Sequence, residues 1–94
     1  MKIASFRKKD FERFWLGGPA RGVVQQYEAK LRAMLTVIEE AATVAELDSV
    51  PGWRLHPLKG DRKGIWSLKL LRNYRVTFRI IGDVASEIDI EDYH

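Results

Sequence analysis

Cysteine is absent from this chain of 94 residues, which excludes disulfides and thiolate metal sites and fits a reducing cytosol. There are only three prolines, and no repeat, low-complexity tract or Pro/Ser-rich linker divides the sequence. No apolar run approaches the roughly 18 residues of a membrane span. The opening Met1-Lys2-Ile3-Ala4-Ser5-Phe6-Arg7-Lys8-Lys9 becomes charged where a signal peptide would become apolar. A Gly-rich phosphate loop, a Ser/His/Asp spacing and a credible metal cluster are all missing, so no metal or other cofactor is expected. What is present is 46% hydrophobic and 11% aromatic, enough to argue against wholesale disorder. The expectation is one domain over residues 1–94, cytoplasmic and without a membrane partner.

The net charge of +3 conceals an uneven distribution. Residues 1–51 carry 8 basic and 7 acidic side chains. Residues 52–80 carry Arg54, Lys59, Arg62, Lys63, Lys69, Arg72, Arg75 and Arg79 against one acid, Asp61, a net of +7. Residues 81–94 carry Asp83, Glu87, Asp89, Glu91 and Asp92 with no Lys or Arg, a net of −5. A basic block of this density suits a polyanion, most plausibly nucleic acid. It is equally what an ordinary surface laced with ion pairs to the acidic tail looks like.

The first half reads as helical. Asp10 to Leu16 is a short amphipathic helix stopped by Gly17-Gly18-Pro19. Val24, Tyr27, Leu31, Met34, Leu35 and Ile38 recur at three- and four-residue spacing, which predicts one amphipathic helix of about five turns whose stripe is core. Thr43-Val44-Ala45-Glu46 has capping-box spacing, so a further turn starts there.

After Pro51-Gly52 the period becomes two. Ile65 to Leu71 suits a central strand. In the next strand Tyr74, Val76, Phe78 and Ile80 oppose Arg75, Thr77 and Arg79. In the last, Val84, Ser86, Ile88 and Ile90 oppose Ala85, Glu87, Asp89 and Glu91. Straight pairing through a three-residue loop, Ile81-Gly82-Asp83, keeps these faces together. It sets Ile80 against Val84, Val76 against Ile88 and Tyr74 against Ile90, with Thr77 against Glu87 and Arg75 near Asp89. A two-residue loop would place Arg79 opposite Ser86 and mix the faces, so the first register is expected. The fold class is α+β: N-terminal helices on a mostly antiparallel twisted sheet with one polar, basic face.

The two histidines, His56 and His94, both sit in polar company. Metal-free RNA cleavage needs a base for the 2′-hydroxyl, an acid for the leaving 5′-oxygen and cations around the phosphate. Histidine, with a pKa of about 6.5, is a natural proton carrier, and Arg and Lys supply a phosphate clamp. Against this, a histidine before proline is commonly a surface residue and a C-terminal histidine is commonly frayed. Trp15, Trp53 and Trp66 suit a core better than a stacking platform.

Four motifs in order narrow the reading: Trp53-Arg54-Leu55-His56-Pro57-Leu58-Lys59-Gly60-Asp61-Arg62, Gly64-Ile65-Trp66-Ser67, Asn73-Tyr74-Arg75-Val76-Thr77-Phe78 and the final Glu91-Asp92-Tyr93-His94. Together they closely resemble the HigB toxins, the plasmid-maintenance "killer" group of the RelE superfamily of bacterial toxin–antitoxin systems. The N-terminal half fits more loosely, through Ser5-Phe6, Lys30-Leu31-Arg32 and Ala41-Ala42 ahead of Glu46-Leu47. The resemblance implies a RelE-like microbial RNase fold and a ribosome-dependent mRNA endonuclease cutting in the ribosomal A site. The implied partners are the 70S ribosome, mRNA and a cognate, helix-turn-helix HigA-like antitoxin, with operator DNA reached only through that antitoxin. Carried over residue by residue, it makes His56, Lys59, Arg75, Asp92, Tyr93 and His94 the catalytic set.

On that reading Arg75 stabilises the scissile phosphate and Lys59 contacts phosphate or the developing oxyanion. His56 and His94 carry protons, Asp92 orients a partner or acts as base, and Tyr93 stacks or donates a proton. Arg54, Arg62, Lys63, Lys69, Arg72 and Arg79 are the expected RNA contacts. Lys69 stands where many relatives have arginine, which keeps the charge but loses the bidentate fork. Arg72 is then a candidate source of the guanidinium. Two other classes remain open: a non-catalytic toxin or regulator that binds ribosomal RNA or another target, and a chain serving only as half of an antitoxin–DNA repressor complex.

Overall fold

The computed structural model describes residues 1–92. Its elements run β1 (Lys2–Ile3), α1 (Lys9–Trp15), α2 (Gly22–Gln26), α3 (Glu28–Glu40), a 3₁₀ turn (Val44–Ser49), β2 (His56–Pro57), a second 3₁₀ turn (Gly60–Arg62), β3 (Ile65–Leu71), β4 (Tyr74–Ile81) and β5 (Val84–Asp92). The sheet order is β1-β5-β4-β3-β2, antiparallel except where β1 joins β5 in parallel. The α+β reading holds, and the two short edge strands add to it. Two-residue strands have too little alternation to stand out in a sequence. Among the described residues, no helix is long and apolar enough to cross a membrane.

Local chemistry explains most boundaries. At the end of α1 the Gly17 N–H donates to the Phe14 carbonyl (3.1 Å) and the Gly18 N–H to the Arg13 carbonyl (2.7 Å). Gly17 itself takes φ 102°, the left-handed residue of a Schellman stop. The Thr43/Glu46 capping box is present and opens the first 3₁₀ turn.

The expected five-turn helix is two helices. Tyr27, at φ −121° and ψ 31°, leaves helical geometry and separates α2 from α3. Its side chain stays buried and meets Tyr74 with ring centroids 5.8 Å apart, so the apolar stripe survives the break that periodicity alone does not reveal. Leu31, Met34, Leu35 and Ile38 of α3 are fully buried in one cluster with Leu68, Leu70, Val76, Phe78, Ala85, Ile88 and Ile90 of the sheet.

The strand register also differs from expectation. The hairpin turns through two residues, Ile81 pairs with Val84, and Arg79 does lie opposite Ser86. Ile80 therefore meets Ala85, not Val84. Beyond a bulge between Thr77 and Arg79 the pairing advances by one, so Val76 meets Ile90, Thr77 meets Asp89, Arg75 meets Glu91 and Tyr74 meets Asp92. The comparison of straight registers had no place for a bulge, which turns the faces over midway along β5. Ala85, Ile88 and Ile90 consequently share the buried face, while Ser86 does not.

Glu87 absorbs the irregularity at φ 52°. Its N–H donates to the Ser5 hydroxyl (2.9 Å), and its carboxylate accepts from Arg79 Nε (3.0 Å). The Ile88 N–H donates to the Ser5 carbonyl (3.0 Å), so the segment after β1 pins the bulge from the sheet edge.

Candidate RNA-binding face

The helices cover one face of the sheet and leave the other open. Two rows of polar side chains cross that open face. One runs His56, Ser67, Thr77 and Asp89 across β2, β3, β4 and β5; the next runs Lys69, Arg75 and Glu91. Neighbouring strands lie ~4.8 Å apart, and the rows, two residues apart along each strand, ~6.6 Å apart.

Glu91 is the hub. Its two oxygens accept from both terminal nitrogens of Arg62, one of these bonds being 2.8 Å, from Arg75 Nη2 (3.1 Å) and from the Thr77 hydroxyl (3.0 Å). The bonds from Arg62 hold its carboxyl down at a pKa of about 2, with Thr77 and Arg75 acting the same way against the opposing cost of burial. The same bonds raise the Arg62 guanidinium above its ordinary range. Arg79 pairs with Glu87 and lies over Gly64, where a Cβ would stand 2.8 Å from its Nη1. The flexible Arg79 side chain can yield to a Cβ, and it is the φ of 95° at Gly64 that favours glycine there. Lys8, just before α1, forms an ion pair with the buried Asp89 of β5.

The remaining cations differ. Among the described residues, Arg54, Lys59, Lys63, Lys69 and Arg72 form no ion pair with a carboxylate. Arg54, His56, Ser67 and Lys69, with Leu55, line a cavity of ≈ 430 Å³. The His56 ring nitrogen Nδ1 lies 3.2 Å from the Arg54 carbonyl oxygen, and Arg54 takes φ 50°. A left-handed arginine costs on the order of 1 kcal/mol, and here it directs a carbonyl at the histidine ring. The Lys69 N–H donates to the Trp53 carbonyl (2.6 Å), tying this loop to β3. Of the tryptophans, Trp53 is buried, while Trp15 and Trp66 pack partly buried against the core.

Lys59 precedes the second 3₁₀ turn, and Arg62 closes that turn onto Glu91. Lys63 follows it and is exposed. Arg72 occupies the β3–β4 turn at φ 54°, exposed. Asp92 stands apart from this polar face. It pairs with Tyr74, on the helix side of β4, accepts a hydrogen bond from the Asn73 amide, and lines a cavity with Phe11, Val24 and Ile90. Tyr93 and His94 lie outside the described residues. Among those described, no cluster of three or more His, Asp or Glu side chains is arranged to hold a metal ion.

A family model described as "RelE-like toxin of type II toxin-antitoxin system HigB" matches residues 4–94. The chain belongs to the HigB-like toxin family. It is similar to a protein of Proteus vulgaris named "Endoribonuclease HigB", 37% identical over 92 residues, which cover 98% of this chain and 99% of that one. The fold is similar to that of YafQ from E. coli strain BL21(DE3), with a TM-score of 0.63 at 14% identity over 97% of this chain and 91% of that one. A YoeB/ParE toxin from Agrobacterium tumefaciens gives 0.52 at 17% identity over 100% and 99%. As a HigB-like toxin of a type II system, the chain has an antitoxin as its counterpart.

The open face contains residues that are not among the expected site residues: Ser67, Thr77 and Glu91. All three lie inside the four motifs, and Thr77 also lies on the expected polar face. The register placed Asp89 rather than Glu91 beside Arg75, so the hub of the cluster went unrecognised.

Proposed function

We propose that this HigB-like toxin is a ribosome-dependent mRNA endoribonuclease, working as one domain of residues 1–94 in the A site of the 70S ribosome. The observation that carries the reading is the open sheet face, where His56 and Lys69 share a cavity with Arg54, and Lys69 pairs across the sheet with Arg75. The identity to an endoribonuclease over nearly the whole chain supports the same chemistry.

The proposed reaction is attack of the 2′-oxygen on the adjacent phosphorus with loss of the 5′-oxygen. The 2′-hydroxyl gives its proton to a base as the O–P bond forms, and an acid protonates the leaving oxygen as the other bond breaks. His56 and His94 are the proposed proton carriers. With Nδ1–H donating to the Arg54 carbonyl, Nε2 of His56 is left for proton transfer. Arg75 faces the phosphate, and Lys59 and Lys69 add positive charge where the phosphorane builds up negative charge. Asp92 orients a partner or acts as base, and Tyr93 stacks on a base or donates a proton. Arg54, Arg62, Lys63, Arg72 and Arg79 make the RNA contacts, no metal takes part, and the inhibiting partner is a HigA-like helix-turn-helix antitoxin.

The test is inducible expression with and without the neighbouring open reading frame, followed by primer-extension mapping of mRNA ends. Discrete cuts within translated codons support the proposal; intact message points to the non-catalytic class. Full ribosome-programmed cleavage by both Arg75→Ala and His94→Ala would overturn the site assignment.

A further inference from the structure

Glu91 presents an apparent contradiction. A face built to receive phosphate carries, at its centre, an ionised carboxylate that opposes any incoming anion. Its position explains why. Arg62 arrives on a loop, the 3₁₀ turn after Lys59, whereas Arg75 and Thr77 arrive on β4. Two guanidiniums brought to one spot repel each other, and long side chains lose rotamer freedom when held. A single carboxylate on β5 removes the repulsion and fixes both. Arg62 gives Glu91 two hydrogen bonds in the fork geometry that matches a carboxylate, and Thr77 orients the same carboxylate from β4. The Arg62–Glu91 pair also tethers the loop carrying Lys59 and Lys63 to the sheet.

Resting on the RNA-cleavage reading above, we infer that Glu91 is a positioning residue. Its carboxylate sets Arg62 and Arg75 in place before RNA arrives, at the cost of weaker attraction for RNA. The group stays ionised through neutral pH, because its carboxyl is depressed to about 2. The assignment therefore separates two quantities that usually fall together. Removing the charge strengthens binding, and loosening the arginines slows the chemical step.

The decisive variant is Glu91→Gln, with Glu91→Asp as the conservative rescue. Gln keeps the shape but has one acceptor oxygen in place of two, and its amide N–H group faces guanidinium N–H. Binding is read with a fluorescent single-stranded RNA oligonucleotide over a salt series, and the chemical step as single-turnover cleavage of mRNA on 70S ribosomes. For Glu91→Gln the expected result is binding about threefold tighter at low salt, from one fewer nearby negative charge. The slope of log K against log salt should steepen by about 0.7, while cleavage slows at least about 30-fold. Glu91→Asp should regain part of the rate with wild-type binding. Parallel losses of binding and rate that track a lowered Tm would overturn the inference, as would an unaltered rate in Glu91→Gln. A wild-type protein that leaves ribosomal mRNA intact refutes the cleavage reading instead, and the binding arm then decides: tighter, more salt-sensitive binding by Glu91→Gln supports Glu91 as the brake on anion binding, and weaker binding overturns it.

Discussion

The two faces of the sheet are built from the same strands by opposite rules. On the covered face Leu68, Leu70, Val76, Phe78 and Ile88 are almost fully buried under α3, each held by dispersion and the loss of apolar surface from water. On the open face Thr77, Arg75 and Glu91 are held by directional hydrogen bonds and charge. Ser67 and Thr77 are as buried as core residues, each 2% exposed, so the open face is an ordered polar layer and not a solvated fringe. A truncation beneath α3 should therefore change stability first. A truncation on the open face should change chemistry first.

The largest expected effect tests the covered face. Phe78→Ala should cost about 3–5 kcal/mol in urea unfolding, since the void lies under a packed helix and cannot collapse freely. Next comes Arg75→Ala, expected to slow ribosome-programmed cleavage by about 10²–10³-fold while costing only about 1 kcal/mol of stability. If Arg75→Ala destabilised the fold as much as Phe78→Ala, the contrast between the faces would be lost.

Acid sharpens the contrast further. Because the folded Glu91 carboxyl lies at about 2 against its ordinary 4.5, the unfolded chain binds the proton more tightly. The stabilisation is thus fully present above pH ~4.5 and is lost as pH falls towards ~2, an effect on the order of 1–3 kcal/mol. Denaturation curves taken across that window should show the loss in wild type and a flatter dependence in Glu91→Gln.

Smaller still, Arg72→Gly should raise stability by about 0.5–1 kcal/mol by relieving the left-handed arginine in the β3–β4 turn. A melting curve that moves the other way would mean that the Arg72 side chain contributes more than its strained backbone costs. Last, Lys63→Ala should leave stability within about 0.5 kcal/mol. The same variant should reduce the salt slope of RNA binding by about 0.7, because Lys63 is exposed and makes no ion pair among the described residues.

The charge partition of the sequence had two readings, and each describes part of the molecule. Arg62, Arg75 and Arg79 do pair with Glu91 and Glu87 of the acidic tail. Among the described residues Arg54, Lys59, Lys63, Lys69 and Arg72 form no such pair, and two of them line the His56 cavity. Counting charges could not divide the block, because lateral neighbours across a sheet depend on register. Placing Arg75 beside Asp89 came from one missed bulge, and the same bulge concealed Glu91.

What the sequence by itself determined is what repeats locally or acts over a few residues. The α3 stripe, the alternation in β4, the Schellman stop at Gly17 and the Thr43/Glu46 cap all follow from periods of 3.6 and 2 or from hydrogen bonds spanning three to five residues. The motifs around His56, Trp66 and Arg75 indicated the family on the same terms. What only the tertiary structure decided involves partners far apart in the chain. Glu87 holds a left-handed bulge because Ser5, 82 residues away, accepts its N–H. Tyr27 leaves helical geometry while its ring packs on Tyr74, and Glu91 joins a loop to two strands. Each of these departs from the locally preferred conformation or gathers charges at one point, and each is stabilised by contacts that exist only once the chain has closed on itself.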